Sequence, residues 1–260
     1  MAERWSVEEA RRKRQELFRL YIRKNKTIAE IAVLLQCGET TIYDRLIRLG
    51  VTTCRSKKKR YNNQRTDLFI PTSHSPELAE FVGILLGDGH LTPTQVTVTL
   101  GKKDIYADYV SKLIFRLFGI CPKKFFSRSK DCTVYFGSVR LVRWFQKMGL
   151  VFNKVQRQVD IPKWIFSRKD FMRSVLRGLF DTDGSVYKLK SGVQISFCNH
   201  STPLISSVQR MLAMLGYHPS QISGYNLYLT RKDDTARFFT EIGFSNKKHA
   251  ERYLRFRKAV

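Results

Sequence analysis

The sequence lacks the features that mark membrane and secreted proteins. Its 260 residues contain no run of about 18 consecutive apolar side chains, which excludes a membrane-spanning helix. The first residues, MAERWSVEEARRKR, have no apolar segment of the kind that a signal peptide needs. The five cysteines are odd in number and form no CxxC pair, so neither a disulfide framework nor a zinc site is predicted. We therefore expect a soluble intracellular protein, in the cytoplasm, the nucleoid or an organelle.

Acidic side chains are also scarce. The chain has 47 Lys and Arg against 22 Asp and Glu, for a net charge of +25. Residues 1–66 hold 17 basic and 7 acidic side chains and the rest hold 30 and 15, so both parts are basic. A surplus of this size repels itself unless an anion binds. Nucleic acid is therefore the first partner to consider, and more than one surface is expected to touch phosphate.

The N-terminal part has the pattern of a helix-turn-helix. A charged helix is predicted over 7–24, followed by two short helices within 27–50 that are separated by an interruption at 36–38. Gln36 stands where a turn glycine is usual, and the glycine comes two positions later. The second short helix would offer polar side chains to the major groove; the candidates are Thr40, Thr41, Tyr43, Asp44 and Arg45. A plain αα-hairpin packed on the rest of the protein is the alternative.

A basic run without apolar periodicity follows this segment. It contains Lys57, Lys58, Lys59 and Arg60 and reads as a flexible tether. Such a run can lie along a phosphate backbone, where each neutralised phosphate makes the affinity fall with salt. A merely solvated linker is the equally weighted alternative.

The remainder of the chain contains one pattern twice. Landmarks recur at a nearly constant separation: the Asp-Gly pairs at 88 and 183 are 95 residues apart, and the glycines at 119 and 216 are 97 apart. Each copy reads as αββαββα, which predicts an α+β fold made of two tandem, pseudo-twofold repeats. We expect a helix-turn-helix domain at 1–54, a basic linker at 55–75, the first repeat at 76–154, a connecting segment at 155–169 and the second repeat at 170–254.

The first helix of each repeat is expected to carry the chemistry. Glycine inside a helix costs about 1 kcal/mol against alanine, so Gly83 and Gly178 need a reason such as close contact between the two helices. That contact would bring Asp88 and Asp183 together at the helix ends. Two carboxylates there repel each other and the negative ends of the helix dipoles, and a hard divalent cation relieves the repulsion. The alternative is an ordinary helix-ending Asp-Gly turn.

The segments FVGILLGDG (81–89) and LRGLFDTDG (176–184) resemble the two copies of the motif of the LAGLIDADG homing endonucleases. The resemblance covers about residues 76–250 and implies a saddle of two antiparallel sheets on DNA. It implies Mg²⁺ or Mn²⁺ held at Asp88 and Asp183, with Gly87 and Thr182 beside them, and a metal-bound water as the nucleophile. It points to Lys154 and Lys247 as charge stabilisers and to Asn199 as a second-strand polar residue, whose counterpart would lie near Gly101 or Lys102. The motif's sixth position is Leu86 in one copy and Asp181 in the other.

Alternating strands give each predicted sheet one polar face that can read base edges. Each candidate for DNA contact has even odds of being plain surface. The candidates are Gln95, Thr97, Thr99, Lys102, Lys123, Lys124, Arg128, Gln194, Ser196, Asn226, Tyr228 and Arg231.

These patterns together favour a site-specific, metal-dependent endonuclease that cuts both strands of duplex DNA as a monomer. The chain does not begin with Cys or Ser and ends in Lys-Ala-Val, so self-splicing is not expected and an intron-encoded or freestanding gene is. The rival is a binding protein on the same scaffold, either a transcription regulator or an RNA-splicing maturase. Both motif acids are present, which argues against a pure binder because it gains nothing from two like charges held together.

Overall fold

The computed structural model describes residues 6–24, 26–51, 67–102, 105–127, 131–190 and 192–258. The chain forms two compact units, residues 1–60 and 61–260. Within the described residues, no helix combines the length and the apolar character that crossing a membrane requires.

The N-terminal unit is all helical. It contains α1 (Val7–Phe18), a π-helical turn (Arg19–Arg23), α2 (Ile28–Leu34) and α3 (Glu39–Arg48). Capping boxes begin α1 and α2, because Ser6 and Thr27 each exchange hydrogen bonds with a glutamate three residues later. The core of the unit joins all three helices and consists of Leu17, Leu20, Tyr21, Ile31, Ala32, Ile42, Leu46 and Val51.

The turn between α2 and α3 contains a left-handed residue that is not glycine. Gln36 itself adopts the left-handed conformation, with φ of 49°. Gly38 instead lies at the N-cap of α3 in an extended conformation. The side chain at 36 is exposed, so the strain of the left-handed backbone is not increased by crowding.

The first repeat has the predicted order of elements. It contains α4 (Pro76–Gly87), β1 (Gly89–Leu91), β2 (Val96–Lys102), α5 (Ile105–Phe118), β3 (Lys123–Phe126), β4 (Asp131–Phe136) and α6 (Val139–Lys147). The strands form an antiparallel sheet in the order β1-β2-β4-β3. Val96, Val98 and Leu100 of β2 are buried towards the helices, whereas Thr97 and Thr99 lie on the opposite face.

The second repeat departs from the prediction by one strand. A single 3-10 turn (Lys163–Ser167) precedes α7 (Lys169–Thr182), β5 (Gly184–Leu189), β6 (Gly192–Cys198), α8 (Thr202–Met214), β7 (Asn226–Leu229), α9 (Lys232–Arg237), a π-helical turn (Phe238–Ile242) and α10 (Lys247–Lys258). The sheet of this repeat has three described strands, β5-β6-β7. The segment that should pair with β7 contains Pro219 and Gly224 and makes only one isolated bridge, between Ser223 and Asn226.

Helix α10 is an addition that the repeat pattern did not predict. It packs on β5 and β6, where Tyr253 joins a small apolar cluster with Val186 and Val193. The expected closing helix of the second repeat is present as α9 and the π-helical turn, and α10 follows it.

Candidate active site at the paired motif helices

The motif helices α4 and α7 touch through their glycines. A Cβ atom added to Gly83 would overlap the carbonyl oxygen of Val175 and lie 3.2 Å from the Cα of Gly178. A Cβ atom on Gly178 would overlap the carbonyl oxygen of Glu80. The two backbones are therefore in direct contact, at a distance that only glycine permits at both positions.

This contact brings the ends of the two helices together. A Cβ atom on Gly87 would overlap the side chain of Thr182 and lie 3.4 Å from the carboxyl carbon of Asp183. Asp88 follows Gly87 directly and is the C-cap of α4, as Asp183 is of α7. The two motif carboxylates therefore belong to one site.

The pKa of Asp183 reflects the proximity of the two motif carboxylates. Burial raises the pKa of Asp183 to about 7, and the charge of Asp88 raises it as well. A hydrogen bond from the Asn199 amide, 2.7 Å from Asp183 Oδ2, and the charge of Lys154 act in the opposite direction. Because the pKa of Asp183 is about 7, a nearby cation strongly increases the ionised fraction of this carboxyl group.

Lys154 supplies one such cation. Its amino group donates to the carbonyl oxygens of Leu85, at 3.2 Å, and of Gly87. Burial lowers the pKa of Lys154, whereas the charges of Asp183 and Asp88 raise it. Lys154 follows Asn153, whose left-handed φ of 52° marks the turn that brings the lysine to the end of α4.

The corresponding residues of the second repeat are arranged differently. The amide of Asn246 donates to the carbonyl oxygen of Asp181, 3.1 Å away, and so occupies the end of α7 as Lys154 occupies that of α4. The Asp181 carboxylate accepts from the backbone N–H groups of Ser245 and Asn246, at 3.0 and 3.1 Å. Lys247 then begins α10 with an exposed side chain. Asn246 therefore lies at the end of α7, and the role of Lys247 as a charge stabiliser stays a prediction.

Sheet pairing shows which residue of the first repeat is in register with Asn199. The N–H of Thr99 donates to Asp88 O and the N–H of Cys198 donates to Asp183 O, both at 3.2 Å. These equal bonds align Thr99 with Cys198 and therefore Leu100 with Asn199. Leu100 is 3% exposed. The first repeat thus has a buried leucine in register with the amide of the second. The Lys102 side chain lies outside the described residues, and a polar counterpart near Gly101 or Lys102 stays a prediction.

Part of the chain matches a family model. Residues 170–243, which include the second motif, match the model of the LAGLIDADG-like domain.

The curated proteins that are similar to this chain are much longer than it. The chain is 27% identical over 197 residues to a replication factor C small subunit of Methanocaldococcus jannaschii, covering 72% of the chain and 10% of the relative. It is 26% identical over 193 residues to a glutamine–fructose-6-phosphate aminotransferase of the same organism, covering 72% and 16%. The chain therefore spans well under a quarter of the length of these relatives, whose names describe different activities.

Solved structures with a LAGLIDADG-like fold are similar at low identity. I-DmoI in complex with DNA and Mn is 18% identical, with 65% of this chain and 96% of that chain covered and a TM-score of 0.47. The N-terminal LAGLIDADG domain of DUF199/WhiA is 15% identical, with 65% and 83% covered and a TM-score of 0.48.

The polar face of the first sheet holds most of the residues predicted there. Gln95 and Thr99 are exposed, and Thr97 is half-buried. Lys123 is opposite Tyr135 in the sheet and so lies on the same face as Thr97. Lys124 lies on the other face, ion-paired with Asp108 of α5, which corrects its prediction as a DNA contact. Arg128 lies outside the described residues.

The polar face of the second sheet is smaller. Gln194, Asn226 and Tyr228 are half-buried on it, whereas Ser196 is 7% exposed between β5 and β7 and offers little surface. Arg231 is exposed at the N-cap of α9.

The helix-turn-helix residues are accessible on α3 of the N-terminal unit. Thr40, Thr41, Tyr43 and Asp44 are exposed. Arg45 is half-buried, with one guanidinium nitrogen 3.8 Å from the Cys37 sulfur. Lys57, Lys58 and Lys59 lie outside the described residues.

One polar cluster of the LAGLIDADG-like unit was missed by sequence reasoning. Glu80 is 4% exposed and accepts hydrogen bonds from Tyr109 at 2.6 Å and Ser245 at 2.7 Å, while Arg177 lies 3.4 Å away. These residues come from α4, α5, α7 and the segment before α10, so the cluster ties the two repeats together. The available signal was the single acid, Glu80, within the apolar run LAEFVGILL.

Proposed function

We propose that this chain is a site-specific endonuclease that hydrolyses one phosphodiester on each strand of duplex DNA with a divalent metal. The observation that supports it best is the pair of motif carboxylates, Asp88 and Asp183, held together by glycine-packed helices with Lys154 beside them. One chain contains both acids, so the active form is a monomer.

The donor groups at this site suit Mg²⁺ or Mn²⁺. The described residues contain no cluster of three or more His, Cys, Asp or Glu side chains, so a closed protein cage of the zinc type is not formed there. Mg²⁺ needs only one or two carboxylates and completes its coordination with water and substrate phosphate. Asp88 and Asp183 would hold the ion, with the carbonyl oxygens of Gly87 and Thr182 as further candidates. A bound ion would supply Lewis-acid stabilisation of charge on the phosphate.

The protein's own side chains have distinct tasks in this proposal. The Lys154 ammonium group, anchored on the carbonyl oxygens at the end of α4, stabilises negative charge that develops on the scissile phosphate. Asn199 donates to Asp183 Oδ2 and fixes the orientation of that carboxylate.

The DNA duplex would lie on the polar sheet faces, with α3 enlarging the recognised sequence. The exposed or half-buried residues Gln95, Thr97, Thr99, Lys123, Gln194, Asn226 and Tyr228 are the candidates for base-edge and backbone contacts.

The decisive experiment selects cleavable sites from a random duplex library in Mg²⁺ and in Mn²⁺. We expect enrichment of one sequence cut on both strands, and no cutting by the Asp88→Asn, Asp183→Asn double variant, which still binds the selected duplex. Tight binding of a selected sequence without scission in either metal would instead establish the regulator-type binder. The outward position of Lys247 is the observation that favours that second candidate.

A further inference from the structure

The outer side of the first helix carries a row of arginines along an open groove. Arg11, Arg14, Arg19 and Arg23 line this groove together with Gln15 and Phe18. We call the four arginines the arginine ridge. All four side chains are exposed. None of these side chains makes a hydrogen bond or an ion pair with another residue in the part of the chain that the structure describes.

The helix that carries the ridge is held in place from its other side. Leu17, Leu20 and Tyr21 are buried against α2 and α3, with 2%, 7% and 6% exposure. The ridge therefore projects from a fixed element of the N-terminal unit, so a ligand would not have to order it.

A π-helical turn brings the last arginine towards the side of the first. In an uninterrupted α-helix, Arg11 and Arg23 would lie about 120° apart around the axis, at roughly 100° per residue. The turn at Arg19–Arg23 has wider i→i+5 hydrogen bonds and advances less per residue, which returns Arg23 to the side of Arg11. Such single π turns are frequent at functional sites.

The charge of the ridge contrasts with that of α3. Over Glu39–Arg48, two acids balance two arginines, so α3 has no net charge with which to attract phosphate. The ridge has four positive charges, and the acids of α1, Glu8, Glu9 and Glu16, are absent from the described lining of its groove. Residues 7–23 as a whole hold six basic and three acidic side chains, so this segment has a net charge of +3 against zero for α3.

We propose that the arginine ridge binds the phosphate backbone of duplex DNA and supplies the phosphate contacts of the N-terminal unit, leaving α3 to read bases. The inference rests on the proposed function only in taking DNA as the partner. Guanidinium groups pair with phosphate through two parallel hydrogen bonds. Residues 11 to 23 span about 18 Å at roughly 1.5 Å per residue, which is long enough for contacts with several phosphates of one strand.

The test measures how binding of the full chain to a duplex depends on salt, in EDTA so that no strand is cut. Each phosphate contact contributes about 0.9 to the slope of log K against log salt. Replacing all four ridge arginines by glutamine is expected to lower the slope by about 3 to 4. The pairs R11Q/R14Q and R19Q/R23Q, for which folding is less at risk, should each lower it by about 2.

Two controls distinguish the contribution of the ridge from a general loss of positive charge and from a loss of base recognition. Glutamine at Arg116, Arg140, Arg143 and Lys147, all exposed on α5 and α6, removes the same charge and should change the slope by less than about 1. Alanine at Thr40, Thr41 and Tyr43 should weaken sequence preference and leave the slope intact.

Three results would overturn the inference. The first is an unchanged slope in the ridge variants, and the second is an equal loss in the α5 and α6 control. The third is a loss of binding by the ridge variants that is seen only with a hairpin RNA, which would make RNA the ligand. Failure of the unaltered chain to bind any duplex would overturn the proposed function too, whereas full cleavage with an unchanged slope would overturn the ridge alone.

Discussion

The two repeats surround their motif aspartates with different side chains. At the first motif helix, the end of α4 is occupied by the Lys154 ammonium group, and the strand position beside it is the buried Leu100. At the second, the end of α7 is occupied by the Asn246 amide, and the strand position is Asn199, bonded to Asp183. The backbone arrangement is shared, down to equal 3.2 Å hydrogen bonds from Thr99 and Cys198.

The two repeats therefore share their backbone arrangement where the motif helices touch. They differ in the side chains that surround the aspartates. The polar residues are divided between the repeats, with one lysine on the first side and two amides, Asn199 and Asn246, on the second. Lys154 acts electrostatically on both Asp88 and Asp183, so one cation serves the pair. The two halves of the site are therefore not equivalent.

The sharpest test of this non-equivalence replaces each motif acid separately. Asp88→Asn and Asp183→Asn should each slow cleavage of one strand by about 10³-fold or more, since several kcal/mol of charge stabilisation are lost. The product should be nicked duplex, with opposite strands cut in the two variants. A duplex with a different label on each strand measures this directly. Equal loss of both cuts in each single variant would show one shared centre.

The two lysines are expected to differ strongly. Lys154→Met should lower the cleavage rate by about 10²- to 10³-fold, because a positioned charge stabiliser is removed. Lys247→Met, at an exposed site, should change it less than about threefold. Single-turnover rates at saturating protein give both numbers, with Lys154→Arg as the charge-preserving control. Equal rate losses in the two methionine variants would show that Lys247 acts in the second repeat as Lys154 does in the first.

The second repeat also buries an imidazole, His249, which is 4% exposed. Burial, together with the charges of Lys248 and Arg252, lowers its pKa from 6.5 to about 4. Between these pH values the unfolded chain binds more protons, so stability falls as pH drops from 6.5 to 4, by about 3 kcal/mol in total.

Urea unfolding between pH 4 and 7.5 tests this contribution. We expect the stability difference between the unaltered protein and His249→Gln to shrink or reverse as the pH falls, because glutamine does not titrate. Curves that stay parallel over the whole range would contradict the assignment.

The glycine contact should respond differently to one substitution and to two. Gly83→Ala or Gly178→Ala forces backbone atoms apart and is expected to destabilise the protein by about 1 to 3 kcal/mol. The second alanine should add less than the first, because the helices have already separated. Thermal or urea unfolding of the three variants measures the coupling. Strict additivity would mean that the two glycines do not share one contact.

Making the strand positions alike gives the smallest expected effect. Asn199→Leu copies the residue of the first repeat and removes the hydrogen bond to Asp183, which is worth about 1.5 kcal/mol or more. We expect about tenfold slower cleavage of the strand served by Asp183. The acid limb of the pH profile should also move to higher pH, because that bond opposes the rise in the pKa of Asp183. A rate loss with an unmoved pH profile would indicate a merely structural asparagine.

Much of this architecture was predictable because it depends on local signals. Periodicity and capping gave the helices, and the repeated Gly and Asp-Gly positions predicted two α+β repeats. The missing strand of the second repeat was not predictable from the sequence pattern, because the segment before β7 makes one isolated bridge, between Ser223 and Asn226, around a Gly224 whose φ is 58°. Lys247 followed the same Asn-Lys signal as Lys154, but the buried Asp181 holds the preceding residues and turns the lysine outward.

The close approach of α4 and α7 has a consequence for the DNA ends that the proposed endonuclease would produce. Backbone atoms in contact leave no room for one helix to slide along the other, so the spacing between the two hydrolysed bonds would be constant. Every target, whatever its sequence, would then yield overhangs of one length.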